Sequence, residues 1–278
     1  MSVKIVVDST VDLTPEVKAQ VKVVPLSVRF DEEEYKDGVT ITAEKFYEML
    51  VKSDTLPTTS QPTPAAFEDV YRELVEAGHE VVVITIASKL SGTYQSATIA
   101  AEEFPGKVFV VDSRNAAIAS GVLAEYALQL VERGMSGEQI LNELMEKRKK
   151  ARLYAIVDTL EYLKKGGRLN SAVAFVGGML NLKPIICVED GEIKVLGTAR
   201  GMKKAFTQLT QECGENGGVD AAMPILLGYT GQSDEQLRKY MEASTELWSS
   251  DTDTSIVGET IGVHAGPGAV AVAFFSKE

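Results

Sequence analysis

A chain of 278 residues with 45% hydrophobic and 24% charged residues is long for one domain, comfortable for two, and able to bury a full core without staples. Its net charge of −12 argues against nucleic acid and against anionic membrane surfaces, both of which need basic patches. No apolar run approaches ~18 residues and the start, Met1 to Val7, is too short for a signal peptide, so no membrane span is expected; the expected place is the cytoplasm, with any membrane contact transient.

In chain order, Lys4–Val7 and Val23–Phe30 read as strands, and Thr42 can cap a helix running to about Lys52. Thr63-Pro64 is an N-cap followed by proline at the first helical position. Phe67, Val70, Tyr71, Leu74 and Val75 then repeat as a helix packed on a sheet does. Val81–Ile86 is a β-branched run of the kind buried on both faces of a parallel sheet, and Val108–Val111 is another. Ala116 to Arg133 reads as a helix stopped by Gly134; Ser136 with Gln139 boxes the start of the next, which ends in the basic run Lys147-Arg148-Lys149-Lys150. This alternation predicts βαβ units: an N-terminal three-layer α/β/α domain with a mostly parallel sheet, over residues 1–150.

Residues 151–278 read as a C-terminal α+β domain with antiparallel pairing. Pro184–Val188 and Ile193–Leu196 flank Asp190-Gly191, a strong hairpin signal. Pro224–Tyr229 and Ala269–Phe275 are further strands, and helices are expected near Lys203–Gln211 and Asp234–Glu242. Tyr154–Val157 could join either sheet.

Ligands of open α/β sheets sit at the carboxyl ends of the strands. Here those ends carry Asp8-Ser9-Thr10, Ala87-Ser88-Lys89-Leu90-Ser91-Gly92-Thr93 and Asp112-Ser113-Arg114-Asn115, and the loop Leu56–Pro62 adds more hydroxyls. Such a rim can hydrogen-bond a carboxylate; the same residue types also serve as plain caps and turns. Standard catalytic sets are missing. No GxxxxGK[ST] loop appears, and Gly266-Pro267-Gly268-Ala269-Val270-Ala271 leads into a strand rather than a helix. Cys187 reads as a core residue, and neither it nor Cys213 has disulfide or metal-ligand spacing; no metal or cofactor is expected. His79, at a helix end, reads as structural. His264 stands among glycines, Gly262 to Gly268, which suggests a tight loop where backbone meets a ligand. Lys164-Lys165-Gly166-Gly167-Arg168-Leu169-Asn170 breaks a helix and exposes cations, either for a partner or as a favourable helix end. A Ser91, His264 and Asp8 or Asp112 triad can be drawn on paper, although Ser91 lacks the G-x-S-x-G elbow.

Taken together, these segments resemble the DegV family of bacterial fatty-acid-binding proteins. The resemblance rests on Val7-Asp8-Ser9-Thr10, Pro57-Thr58-Thr59-Ser60-Gln61-Pro62, Ser88 to Ala97 (SKLSGTYQSA), Val111-Asp112-Ser113, Thr159 to Arg168, Lys183-Pro184 with Asp190-Gly191, Arg200-Gly201, and Gly262-Val263-His264-Ala265-Gly266-Pro267-Gly268. It implies one long-chain fatty acid in a tunnel, its carboxylate held at Thr59 and Ser91, with Thr58, Ser60, Ser9 and His264 as further candidates. It also implies a carrier rather than an enzyme: the carboxylate is presented to a separate fatty acid kinase that feeds phospholipid synthesis, with Arg168 and His264 tied to phosphoryl transfer. Asn170 stands where a serine is expected, with Ser171 next. Burying a C16 tail would hide about 14 methylenes, worth roughly 11 kcal/mol before costs. The alternatives are a lipid hydrolase using Ser91 and His264, and a lipid-sensing regulator without a kinase.

Overall fold

The computed structural model describes residues 2–169, 181–215 and 217–277. Asn170 and Ser171 lie outside them. The strands of the first half split between two sheets. Strands β1 (Val3–Asp8), β2 (Lys22–Val24), β6 (Glu80–Thr85) and β7 (Val108–Asp112) form a parallel sheet in the order β2-β1-β6-β7. Strands β3 (Ser27–Phe30), β4 (Glu33–Lys36) and β5 (Thr58–Ser60) form a small antiparallel sheet in the order β4-β3-β5. The single strand expected over Val23–Phe30 is therefore two. Pro25 has no N–H to give a ladder, and the chain turns there from one sheet into the other.

Helices follow their caps. Helix α1 (Pro15–Lys18) is one turn; α2 (Ala43–Lys52) starts at Thr42, whose hydroxyl accepts from Lys45 N. Helix α3 (Pro64–Glu76) starts at Thr63 and buries Phe67, Tyr71 and Leu74. Helices α4 (Thr93–Ala101), α5 (Ala117–Glu132) and α6 (Gly137–Lys147) complete the half, and the Ser136–Gln139 capping box is formed. Helix α5 is apolar on every side because it is covered on every side: it packs on β1 and β6 and also on three strands of another, larger sheet.

That other sheet has the order β10-β9-β8-β13-β11-β12, from β8 (Ala151–Ile156), β9 (Leu182–Glu189), β10 (Glu192–Arg200), β11 (Leu226–Tyr229), β12 (Thr254–Ile256) and β13 (Val270–Phe275). Its pairings are antiparallel except β11 with β12. Tyr154 thus belongs to the second sheet. Asp190 and Gly191, at φ 49° and 78°, turn β9 into β10 with two left-handed residues, as a type I′ hairpin requires. Helices α8 (Met202–Gly214) and α9 (Glu235–Ala243) cover the face carrying Tyr154, Ile156, Ile185 and Phe274. The opposite face, with Leu153, Ala155, Ile186 and Ala271, joins α5 and the parallel sheet in one core cluster. Two short helices, α7 (Glu161–Lys165) and α10 (Glu259–Ala265), pack on each other beside the small sheet. Among the described residues no helix is long and apolar enough to cross a membrane.

Candidate functional site

A cavity of about 330 Å³ lies between the inner face of the six-stranded sheet and the ends of β1 and β6. Along most of its length the wall is apolar: Leu26, Ile86 and Leu90 from the first half, and Leu153, Ala155, Ile186 and Ala271 from the second. Polar side chains gather at one end, where Thr59, Ser60, Gln61, Ser91, Arg168 and His264 meet, and the buried Thr10, Thr230 and Thr260 also line the cavity.

Local rules bring those groups together. Thr59 sits on β5 paired to Val28, half-buried, while Thr58 and Ser60 on either side are exposed, as strand alternation demands. Gln61 fastens this strand to the start of α4. Its Nε2 donates to Gly92 O (3.3 Å) and Ser96 Oγ (3.0 Å), and a Cβ on Gly92 would collide with the Gln61 amide, so only glycine admits the approach. Ser91 precedes α4; its Oγ accepts from Thr93 N (3.3 Å) and bonds Thr93 Oγ1 (2.9 Å). His264 reaches Thr59 from the other side, with Nε2 3.1 Å from Oγ1.

His264 does not sit in a loop. It occupies the last turn of α10, on the same face as Thr260 four residues earlier. The glycines around it serve close packing. A Cβ on Gly262 would press on Phe46 and Tyr47, one on Gly266 on the Tyr162 ring, and one on Gly166 on the His264 ring itself. The Nδ1 atom is buried without a partner. Burial, and then the Arg168 charge, push the imidazole down to about 4, so it is neutral at neutral pH. Arg168 is likewise not the exposed cation expected from its segment. It is half-buried, with Nε donating to Leu90 O (3.2 Å) and Nη1 to Gly166 O (2.7 Å), and it ties the end of α7 to the Ser91 loop. Lys164 and Lys165 are the exposed members.

Two other candidates lie elsewhere. Ser9 Oγ donates to Asp37 (3.0 Å) and accepts from Leu26 N (3.0 Å), and does not line the cavity. Thr58 does not line it either. The paper triad does not assemble. Ser91 is bonded to Thr93, His264 to Thr59, Asp8 to Thr10 and Ile86 N, and Asp112 to Ser88 and Arg114 N. Sequence reasoning missed Thr230 and Thr260, whose neighbourhoods carry no motif. It also missed three buried acids, Asp12, Asp37 and Glu259. Asp37 accepts from Thr260 N (3.2 Å), Asp12 from Gly258 N (2.7 Å) and Glu259 from Gly38 N (3.3 Å), so the acids moor the start of α10. Burial pushes Asp8 up to about 6 despite its donors from Thr10 and Ile86. Burial, and then the bond to Asp37, push Glu259 up to about 9. Among the described residues no group of His, Cys, Asp and Glu could hold a metal ion.

A family model described as an uncharacterised protein family, DegV, matches residues 2–277. The chain belongs to the DegV family. A DegV domain-containing protein of Deinococcus radiodurans is 39% identical over 280 residues, 98% of each chain. Among solved structures, a fatty-acid-binding DegV family protein from Thermus thermophilus superposes with a TM-score of 0.88 at 34% identity, over 99% of this chain and 100% of that one. A stearic-acid-binding protein from Eubacterium ventriosum gives 0.86 at 32% identity, over 99% and 98%. Both share the DegV fold, with its parallel and antiparallel sheets.

Proposed function

We propose that this chain binds one long-chain fatty acid and presents its carboxylate to a partner fatty acid kinase. The observation that carries the reading is the cavity's division into a polar end of hydroxyls with an imidazole and a long apolar remainder. A carboxylate leaving water must be hydrogen-bonded, and Thr59 Oγ1 and Ser91 Oγ can donate to it, as can the ring of His264. The tail lies against Leu153, Ala155, Ile186 and Ala271, where each methylene removed from water contributes about 0.8 kcal/mol. The relatives that bind fatty acids share this fold over nearly the full chain, which supports the same ligand class here.

The kinase step is supported by the character of the polar end. A neutral His264 and hydroxyl donors hold a carboxylate without neutralising the oxygen that attacks phosphate. Arg168 lines the same cavity and is close enough to bias His264, which supports a role for its charge toward an incoming phosphoryl group. A hydrolase finds less support, since Ser91 and His264 are not bonded to each other and Nδ1 has no carboxylate to orient it. Denaturing extraction of the purified protein should release about one C14–C18 fatty acid per chain, read by mass spectrometry. A clean apo mass that stays unchanged with added palmitate or oleate would sink the carrier reading.

A further inference from the structure

A second cavity of about 300 Å³ opens where α6 runs into β8 and where β7 ends. It shares Leu153, Cys187 and Val188 with the first, so the two lie on either side of one wall, and none of Thr59, Ser91 and His264 lines it. Its chemistry is the reverse of the first. Arg114, Arg148, Lys149 and Arg152 converge on it, in a chain whose net charge is −12.

Two of these four cations are paired, Lys149 with both Glu146 carboxylate oxygens at 2.8 Å and Arg114 with Asp190, whereas Arg148 and Arg152 make no ion pair among the described residues. Arg148 is 8% exposed, yet its Nη1 donates to a backbone carbonyl, Asp112 O, at 2.5 Å, and its Nε is buried with no acceptor. Arg152 Nη1 donates to Lys149 O at 2.7 Å, again a backbone carbonyl. Asn115, 3% exposed, stands beside them with its Oδ1 unpartnered. Burial, and then the Arg114 charge, push the Arg148 guanidinium below its ordinary range, against the smaller opposing pull of Asp112 and Glu146. Of the acids lining the cleft, Glu189 pairs with Lys194 and Asp190 lies 3.6 Å from Arg114, and Glu212 lines it as well.

We propose that this cleft binds a phosphate-class oxyanion, either free phosphate or the phosphate of a lipid headgroup. A buried arginine left without a countercharge, as Arg148 is, costs more than a paired one, and a tetrahedral oxyanion offers several acceptors to the fixed forks of Arg148 and Arg152. The site is independent of the fatty-acid reading. Its test is titration of inorganic phosphate at constant ionic strength, by calorimetry, together with flotation on vesicles of phosphatidylglycerol or of phosphatidylcholine. Saturable phosphate binding without vesicle binding identifies a small anion; added preference for phosphatidylglycerol identifies a headgroup. Arg152→Gln, which leaves the Arg148 bond in place, should weaken either by about tenfold, and Lys239→Gln on α9, in an exposed ion pair, should change neither. Arg148→Gln should abolish binding, with circular dichroism checking that it folds. No saturable phosphate binding and no vesicle preference in the wild type overturns the proposal, and so does unchanged binding in Arg152→Gln.

Discussion

The polar end of the main cavity draws on three distant segments. Thr59 comes from a three-residue strand, Ser91 from the turn before α4 and His264 from the last turn of α10. The apolar wall is dealt out two residues at a time by neighbouring strands: Leu153 and Ala155 from β8, Ile186 and Val188 from β9, Ala269 and Ala271 next to and within β13. The wall is a sheet face and tolerates change of side chain so long as volume is kept. The polar end is a meeting point held by single contacts such as Gln61 on Gly92. One end therefore sets where the ligand's charge sits, and the other sets how much chain fits.

Filling the wall should have the largest effect. Ala155 and Ala271 are register partners, both buried, both facing the cavity. Ala155→Phe puts a ring where the tail would lie, and copurified fatty acid should fall by at least about tenfold. Because the ring fills space left open without ligand, the delipidated variant should unfold no earlier than delipidated wild type. Unchanged lipid content with the same chain lengths would move the tail to another path.

Changing the polar end should act on affinity rather than capacity. In Thr59→Ala with Ser91→Ala, each lost bond to a carboxylate should cost about 1.5–3 kcal/mol, so affinity measured by displacement of a fluorescent fatty acid should fall by roughly two to four orders of magnitude. A fall confined to one of the two single variants would show that only that hydroxyl touches the head group.

The two ends differ in how far they can be read from sequence. Thr59, Ser91, Arg168 and His264 line one cavity, and all four lie in motifs with local turn or cap chemistry. The wall strands were legible as apolar runs, and the Asp190-Gly191 hairpin from its turn residues. What local pattern does not carry is partnership across the chain. The glycines beside His264 read as a loop because their reason, contact with Phe46, Tyr47 and Tyr162, lies over a hundred residues away. Val23–Phe30 reads as one strand across Pro25, and nothing local shows that the chain beyond it pairs with Thr58–Ser60. The buried acids under α10 had no signal, since each looks like an ordinary turn or cap residue.

Arg168 separates holding the ligand from presenting it. Arg168→Ala should leave fatty-acid content near wild type, because its own bonds go to Leu90 O and Gly166 O. With a cognate kinase it should lower acyl phosphate formation at least about tenfold, the scale expected for a lost charge at a transferring phosphoryl group. Loss of lipid together with activity would make the residue a clamp on the Ser91 loop instead. His264→Ala should lower phosphorylation too, with a smaller or variable effect on lipid.

The smallest effect expected is on stability against pH, and it compares the ring of α10 with its root. His264 is pushed down to about 4 in the fold against 6.5 free, so between those values the unfolded chain holds more protons and stability rises with pH. Glu259 is pushed up to about 9 against 4.5, so between those values the folded chain holds the extra proton and stability falls as pH rises. Above pH 6.5 the histidine contributes no slope and the acid remains. Glu259→Gln imitates the protonated acid: its carbonyl can still accept from Gly38 N and its amide can donate to Asp37. Urea unfolding of the wild type should therefore show stability declining from pH 6.5 to 9, and the variant should show a shallower decline, overtaking the wild type toward pH 9. Parallel curves for the two proteins would mean that Glu259 is ionised in the fold and that the mooring of α10 does not depend on its proton.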